Sequence, residues 1–477
     1  MVWMEVRPMR KSWSAANRVS IRTLAILFVS IGNCIAQTQP QIAHPTPESE
    51  FQAAMTAEDQ GDLERARSIL VALHRSHPGL FAVDESLGLI YVAQERYREA
   101  LPLLQCAVHE QPSSDVAHSN LGADLFKMRK PKEALDEFTT AARLNPKNAM
   151  TQQGLGELWL DDGQPRRAAE AFGAALDAKP NDPDLEMDLA TALVASGNFD
   201  KAKAALDKVD GVEMLADAQA LLGQIEEGRG NPVEAARHFD RAVQLEPSES
   251  NMWMLGVEYL RHWTFDSAIP EFQAGSERFP ASLRMKLGLG AAYFGGEKYG
   301  ESIPVFAGLL DVDKDNALYA ELLGLACNAV TESAKSKCTS LLAYADAHPR
   351  DAKASSYAAA MLLTETADEH RIEEARKLLK NALVAAPNFA NAQYEMGLLK
   401  QGEGDWKGSE VNLERAVSLK PDLAQAHYRL ALAYWRSDRK QQAEEQMALQ
   451  RQYAQQEQKD LDRRLHEITV FVVDAKK

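Results

Sequence analysis

The stretch Asp115–Asn148, DVAHSNLGADLFKMRKPKEALDEFTTAARLNPKN, decides the fold. At helical spacing it reads as two short amphipathic helices with a turn at Arg129–Pro131. Gly122 stands midway in the first helix and Ala134 in the second. Phe138 and Ala141 follow on the same face, and Pro146 closes the unit. Close variants of this block recur along most of the chain. The small first-helix residue runs Gly88, Gly122, Gly156, Ala190, Gly223, Gly256, Gly290, Gly324, Gly397 and Ala431. The small second-helix residue runs Ala66, Ala100, Ala134, Ala168, Ala202, Ala235, Ala268 and Ser302, then Ala375, Ser409 and Ala443. A closing proline recurs at Pro78, Pro112, Pro146, Pro180, Pro247, Pro280, Pro349, Pro387 and Pro421. Most steps are 33 or 34 residues.

Each ladder has a physical reason. A small residue where two helices cross lets their backbones approach. Leu and Tyr on the first helix, and Phe and Leu on the second, fill the space beside that crossing. A proline after the second helix cannot continue it, so the chain turns into the next hairpin. One hairpin cannot bury its apolar face alone, whereas a stack buries a continuous core. Leu121-Gly122, Leu125, Ala134, Phe138, Ala141 and Pro146, with equivalents such as Leu87-Gly88, Tyr91, Ala100, Ala107 and Pro112, resemble the tetratricopeptide repeat family. The resemblance covers about Glu50–Gln456, or about twelve repeats. It implies an all-α fold: a right-handed superhelical solenoid of stacked helix-turn-helix hairpins with a concave binding groove.

Departures from the ladders mark irregular places. After Leu206 the chain reads DKVDGVEM without a closing proline, which predicts a tighter or kinked fourth-to-fifth junction. Lys314 stands where another proline is missing, and the register slips between Thr331 and Arg371. Beyond the array, residues 457–477 read as a capping helix and tail. The QQEQKDLDRRLHEI helix caps the end or forms a short coiled coil, and Thr469–Val473 folds back or pairs.

The 477 residues are 45% hydrophobic and only 7% aromatic, with 53 basic against 69 acidic side chains. The first 36 residues hold five of the basic ones (Arg7, Arg10, Lys11, Arg18, Arg22) and one acid, Glu5, which leaves a body of charge −20. An acidic body without a basic stripe argues against nucleic acid and against anionic lipid. The basic lead into Leu24–Ala36 (LAILFVSIGNCIA) reads as an export signal in residues 1–36, cleaved after Ala36, and short for a bilayer span. The alternatives are an uncleaved membrane anchor through residues 24–36, a buried helix, or a lipid-modified Cys34, which Asn33 before it fits badly. Residues 37–49, rich in Pro and Gln, read as a flexible spacer.

Motifs of catalysis and cofactor binding fail on inspection. Asp311, Asp313 and Asp315 imitate a calcium loop, but Asn316 and Leu322 stand where the glycine and the bidentate glutamate belong. Helix capping between hairpins explains these acids better. Gly288, Gly290, Gly295 and Gly296 lack the spacing and the preceding strand of a phosphate loop. Eleven histidines show no zinc spacing, and no nucleophile elbow or triad is present. The sequence therefore predicts no metal, no cofactor and no enzyme. Cys327 and Cys338 straddle one turn on opposing helices, either as a disulfide or as two buried thiols, and Cys106 reads as a lone buried thiol.

In the family that the repeats resemble, ligands meet first-helix residues of the groove. Projection from the glycine ladder gives Phe126, Trp253, Phe294, Tyr394, Tyr428 and Trp435 as partner-binding candidates. A carboxylate clamp of the chaperone-binding type is not supported: Asn120 matches, but Met150 and Gly154 stand where basic residues are needed. The expected function is an exported scaffold for a protein or peptide, periplasmic or extracellular, in envelope assembly or secretion. The alternative is a carbohydrate- or peptidoglycan-associated factor whose groove aromatics stack on sugars.

Overall fold

The computed structural model describes residues 46–330, 338–363 and 368–456. The expected export segment, the Cys34 alternative, spacer residues 37–45 and the 457–477 tail lie outside the described residues. Among the described residues there is no strand, and no helix is long and apolar enough to cross a membrane. The spacer ends earlier than expected. Pro47–Asp59 is already a helix, with Pro47 in its first turn and the Thr46 hydroxyl accepting from Ser49 N at 3.2 Å.

The chain falls into two compact units, divided between Glu213 and Met214. The first is five helical hairpins: Pro47–Asp59 with Leu63–Ser76, Phe81–Ala93 with Tyr97–Glu110, Asp115–Lys127 with Pro131–Leu144, Ala149–Asp161 with Pro165–Ala178, and Pro183–Ala195 with Phe199–Leu206. The second pairs Ala216–Gly228 with Pro232–Leu245, Glu249–Arg261 with Phe265–Arg278, and Leu283–Gly295 with Tyr299–Val312. It continues with Ala317–Ala329 and Thr339–Ala347, Ala352–Leu362 and Glu369–Ala385, and Ala390–Gly402 and Trp406–Leu419. Ala424–Arg436 follows, paired in sequence with helical residues 440–456.

Local chemistry sets these boundaries. Ser114, Asn148, Asp182, Ser248 and Ser282 each place a side-chain oxygen on an amide of the first turn that follows. Pro131, Pro165 and Pro232 open second helices. Two residues past the first helix the backbone turns left-handed, at Gly61, Gly163, Gly197, Gly230 and Gly404 but also at Arg129 (φ 61°) and Trp263 (φ 58°).

The small-residue ladder is a packing device, as its spacing predicts. A Cβ on Gly122 would lie 3.0 Å from the Phe138 ring, and one on Gly156 2.6 Å from Phe172. Gly256 and Gly290 meet Phe272 and Phe306 in the same way, and all four phenylalanines are fully buried. Gly288 and Gly295 lie against Phe272 and Phe265, so this glycine-rich stretch is helix packing. Asn316 caps Ala317–Ala329, as the capping reading predicted; Asp313 accepts from its amide and Asp315 faces His348.

The irregular places also appear. Phe199–Leu206 has 8 residues where Pro165–Ala178 has 14, and a 3-10 turn, Val212–Met214, follows. Counted from Pro47, this is the fifth-to-sixth junction, not the fourth-to-fifth. Gly324 departs from its ladder: its neighbour is Tyr357 of the next first helix, and the paired helix Thr339–Ala347 is 9 residues long and carries no phenylalanine. Cys327 and Cys338 are joined as a disulfide with Cα atoms 6.1 Å apart, both fully buried. Cys106 is half-buried, not buried as expected.

Candidate partner-binding surface

The six projected aromatics share one register. Trp253, Tyr394 and Tyr428 stand three residues before the small contact residue; Phe126, Phe294 and Trp435 stand four after it. These two positions, seven residues apart, lie on one helix face. The structure covers most of that face. Phe126 is only 6% exposed, packed with Leu121, Leu125 and Leu158, so it is core and not a groove residue. Trp253 is half-buried with its ring edge-on to Phe272, centroids 5.6 Å apart. Phe294 is half-buried and edge-on to Tyr299 at 5.2 Å. Tyr394 is half-buried, and burial, then Glu395, hold its hydroxyl above the usual range against the pull of Arg429.

Tyr428 and Trp435 remain exposed, at 42% and 43%. They are two turns apart on Ala424–Arg436, with half-buried Leu432 between them on the same face. Cations flank them. Arg429 interacts with Tyr394, and the Arg436 guanidinium sits 5.5 Å over the Trp406 ring. Side chains on neighbouring helices fix this corner. Gln401 donates to Arg429 O at 2.9 Å, and the Tyr434 hydroxyl donates to Glu414 at 2.8 Å. The result is a short apolar stripe, Tyr428, Leu432 and Trp435, on a helix whose Arg429 and Arg436 engage the neighbouring aromatics Tyr394 and Trp406. Trp253, Tyr394 and Tyr428 do not form one exposed stripe, which removes the ground for the sugar-stacking alternative.

In the first unit the corresponding faces are polar. Asn120 donates to Glu85 at 3.1 Å, and the Ser119 and Thr151 hydroxyls meet at 2.5 Å. The Asn120 amide is thus spent on Glu85. Burial holds the Glu85 carboxyl at about 7, against the lowering effect of Asn120. Burial also raises Asp124 to about 7; it is fully enclosed, and neither carboxylate oxygen has a hydrogen-bond partner. Sequence reasoning missed both acids, although a signal existed for Asp124. The residue two after the small one is Ile90, Leu158, Ala192, Ile225, Ala292, Ala326, Leu399 and Ala433, and only Asp124 and Glu258 break that column.

Tetratricopeptide repeat family matches span residues 51–115, 119–183, 254–320 and 394–457, with a further match at 159–225. Together they cover more than half of the chain, which belongs to the tetratricopeptide repeat family. The matches stop at 320 and resume at 394, bracketing the slipped register and the disulfide. No curated protein matches the chain. Among solved structures it is similar to Pseudomonas aeruginosa PilF: 18% identity, covering 43% of this chain and 94% of that one, with a TM-score of 0.39. A tetratricopeptide repeat protein of Parabacteroides merdae shares 18% identity over 52% of this chain and 98% of its own, with a TM-score of 0.41. The Cut9–Hcn1 hetero-tetramer of the APC/C matches at 13% identity over 91% and 96%, with a TM-score of 0.39.

Proposed function

We propose that the protein is an exported, non-enzymatic scaffold that holds a protein or peptide partner against the Tyr428–Leu432–Trp435 face, in cell-envelope assembly or secretion. The observation that carries this reading is the exposure of Tyr428 and Trp435 on one helix while the other four projected aromatics are covered. Large aromatics in water cost free energy unless a partner covers them, and they are the residues that anchor interfaces. Arg429 and Arg436 suit a segment with an apolar anchor beside an acidic side chain. Export is supported by the signal-like Leu24–Ala36 and by the Cys327–Cys338 disulfide, since such bonds persist in oxidising compartments.

The test is capture from an envelope extract by the chain beginning at Gln37, beside a Tyr428→Ala/Trp435→Ala double variant, read by mass spectrometry. The reading predicts a reproducible partner whose yield falls at least tenfold with the variant. An unchanged partner set, or none from either chain, contradicts it. N-terminal sequencing of the native protein checks export: Gln37 as first residue supports it, and an intact Met1 opposes a cleaved signal.

A further inference from the structure

Four residues before the small contact residue, four first helices of this chain carry a side chain that reaches a closing-proline carbonyl. Gln152 donates to Pro146 O at 3.0 Å and Gln393 to Pro387 O at 2.9 Å. His118 Nε2 lies 3.1 Å from Pro112 O, and His427 Nε2 lies 2.7 Å from Pro421 O. Asp84 holds this position in Phe81–Ala93, and a carboxylate has no proton for that bond. It is fully enclosed. Its Oδ1 accepts from His74 Nδ1 at 2.5 Å, its Oδ2 is buried without a hydrogen bond of regular geometry, and the carboxylate interacts with the Cys106 thiol, which burial and this contact hold protonated.

Two side chains of Tyr97–Glu110 face the same point. One ligand atom each from Asp84, Cys106 and Glu110 lies within 4.8 Å of the other two. The Glu110 carboxylate reaches in across Gly79: a Cβ there would stand 2.6 Å from Glu110 Oε1, and the backbone is left-handed at φ 82°. The chain shows what such an acid needs. Glu186 occupies the register of Asp84 in Pro183–Ala195, and Lys208, 22 residues on, places its ammonium 3.0 Å from Glu186 Oε1. Cys106 is the residue 22 after Asp84. Where one repeat supplies an ammonium, the other supplies a thiol and a second carboxylate. An enclosed acid, the thiol it interacts with and a second acid make a donor set that suits a cation.

We propose that Asp84, Cys106 and Glu110 bind one divalent transition-metal ion of the zinc class, with His74 positioning the Asp84 carboxylate. The thiolate excludes the hard cations calcium and magnesium, and the mixed sulfur and oxygen set suits zinc. Three protein ligands leave a fourth place for water or a partner's side chain. A tetrahedral ion needs its ligand atoms roughly 3.5 Å apart, within reach of small rotations of Cys106 and Glu110. Binding releases the Cys106 thiol proton to solvent. The His74–Asp84 bond is the outer-shell contact that orients a ligating carboxylate. The ion ties Leu63–Ser76, Phe81–Ala93 and Tyr97–Glu110 together, so it stabilises the first two hairpins.

The test uses the full chain with Cys34→Ser, so that Cys106 is its one free thiol, titrated with cobalt(II) and then zinc. The proposal predicts one equivalent of cobalt with a thiolate-to-metal charge-transfer band, displaced by zinc and lost in Cys106→Ser. Asp84→Asn and Glu110→Gln weaken binding at least tenfold. His74→Ala weakens it about 10–100-fold and keeps the band. An absent band, a band that survives Cys106→Ser, or an affinity that Asp84→Asn leaves unchanged overturns the proposal; the last marks an adventitious surface ion. Should Cys106→Ser fold poorly, iodoacetamide labelling of Cys106 in the parent chain decides. Zinc slows it at least tenfold under the proposal, and an unchanged rate overturns it.

Discussion

Asp124 stands in a column that the other repeats, Glu258 apart, keep apolar, with Ile90 before it and Leu158 after it. A buried carboxylate without partners destabilises the charged form, which is why its pKa rises to about 7. Asp124→Leu copies the solution used at Leu158. At pH 8 it should raise stability by about 1–4 kcal/mol, read as a higher melting temperature by circular dichroism. A lower melting temperature would show that Asp124 has a partner worth keeping. Glu85 gives the pH test. Its folded pKa of about 7 exceeds its ordinary 4.5, so the folded chain holds a proton that the unfolded chain has released. Stability therefore falls as pH rises from about 4.5 to about 7 and is level above that, by on the order of 3 kcal/mol for this group. Glu85→Gln keeps the bond to Asn120 and removes the titration, so its melting temperature should drop less between pH 5 and pH 8. Equal drops in both proteins would place the proton elsewhere. Asp124 was legible only as a break in its column, and Glu85 not at all, because the burial of one side chain depends on neighbouring repeats such as the one that supplies Asn120.

At the scale of the element, the sequence was most informative where one rule repeats. Gly122, Ala134 and Phe138 are legible because a small residue facing a large one is forced wherever two helices cross. The aromatic face was only half legible. Spacing places Phe126 and Trp435 at the same register, but it does not say how closely the next first helix approaches. Phe126 has Leu158 beside it and is buried, whereas Trp435 lies on the last of the regularly spaced first helices and stays exposed. The disulfide sits where the ladder fails. Helix Thr339–Ala347 carries no phenylalanine to set against Gly324, and the covalent tie of Cys338 to Cys327 holds its start. Reduction, or Cys338→Ser, should cost about 3 kcal/mol from loop-closure entropy. Calorimetry under oxidising and reducing conditions reads this directly, and identical melting curves would mean that the tie carries no stability.

For the whole molecule, the repeat period predicts about twelve repeats, and the described residues form successive helical pairs, five in the unit ending at Glu213 and the rest in the unit beginning at Met214. The division falls where a closing proline is missing after Leu206, a signal visible in the sequence but not readable as a boundary between compact units. Metal ligands that come from different helices, as Asp84, Cys106 and Glu110 do, leave no spacing motif, and that is why the cluster needed the structure. Specificity in such a chain lies where copies differ. The polar, partly buried faces of the first unit and the exposed Tyr428–Trp435 stripe of the second are two of those differences. The most direct measurement of this account is hydrogen exchange on the chain with and without its captured partner. The account predicts new protection concentrated in peptides covering Ala390–Gly402 and Ala424–Arg436. Protection confined to the first unit, with none at Tyr428–Trp435, would contradict it.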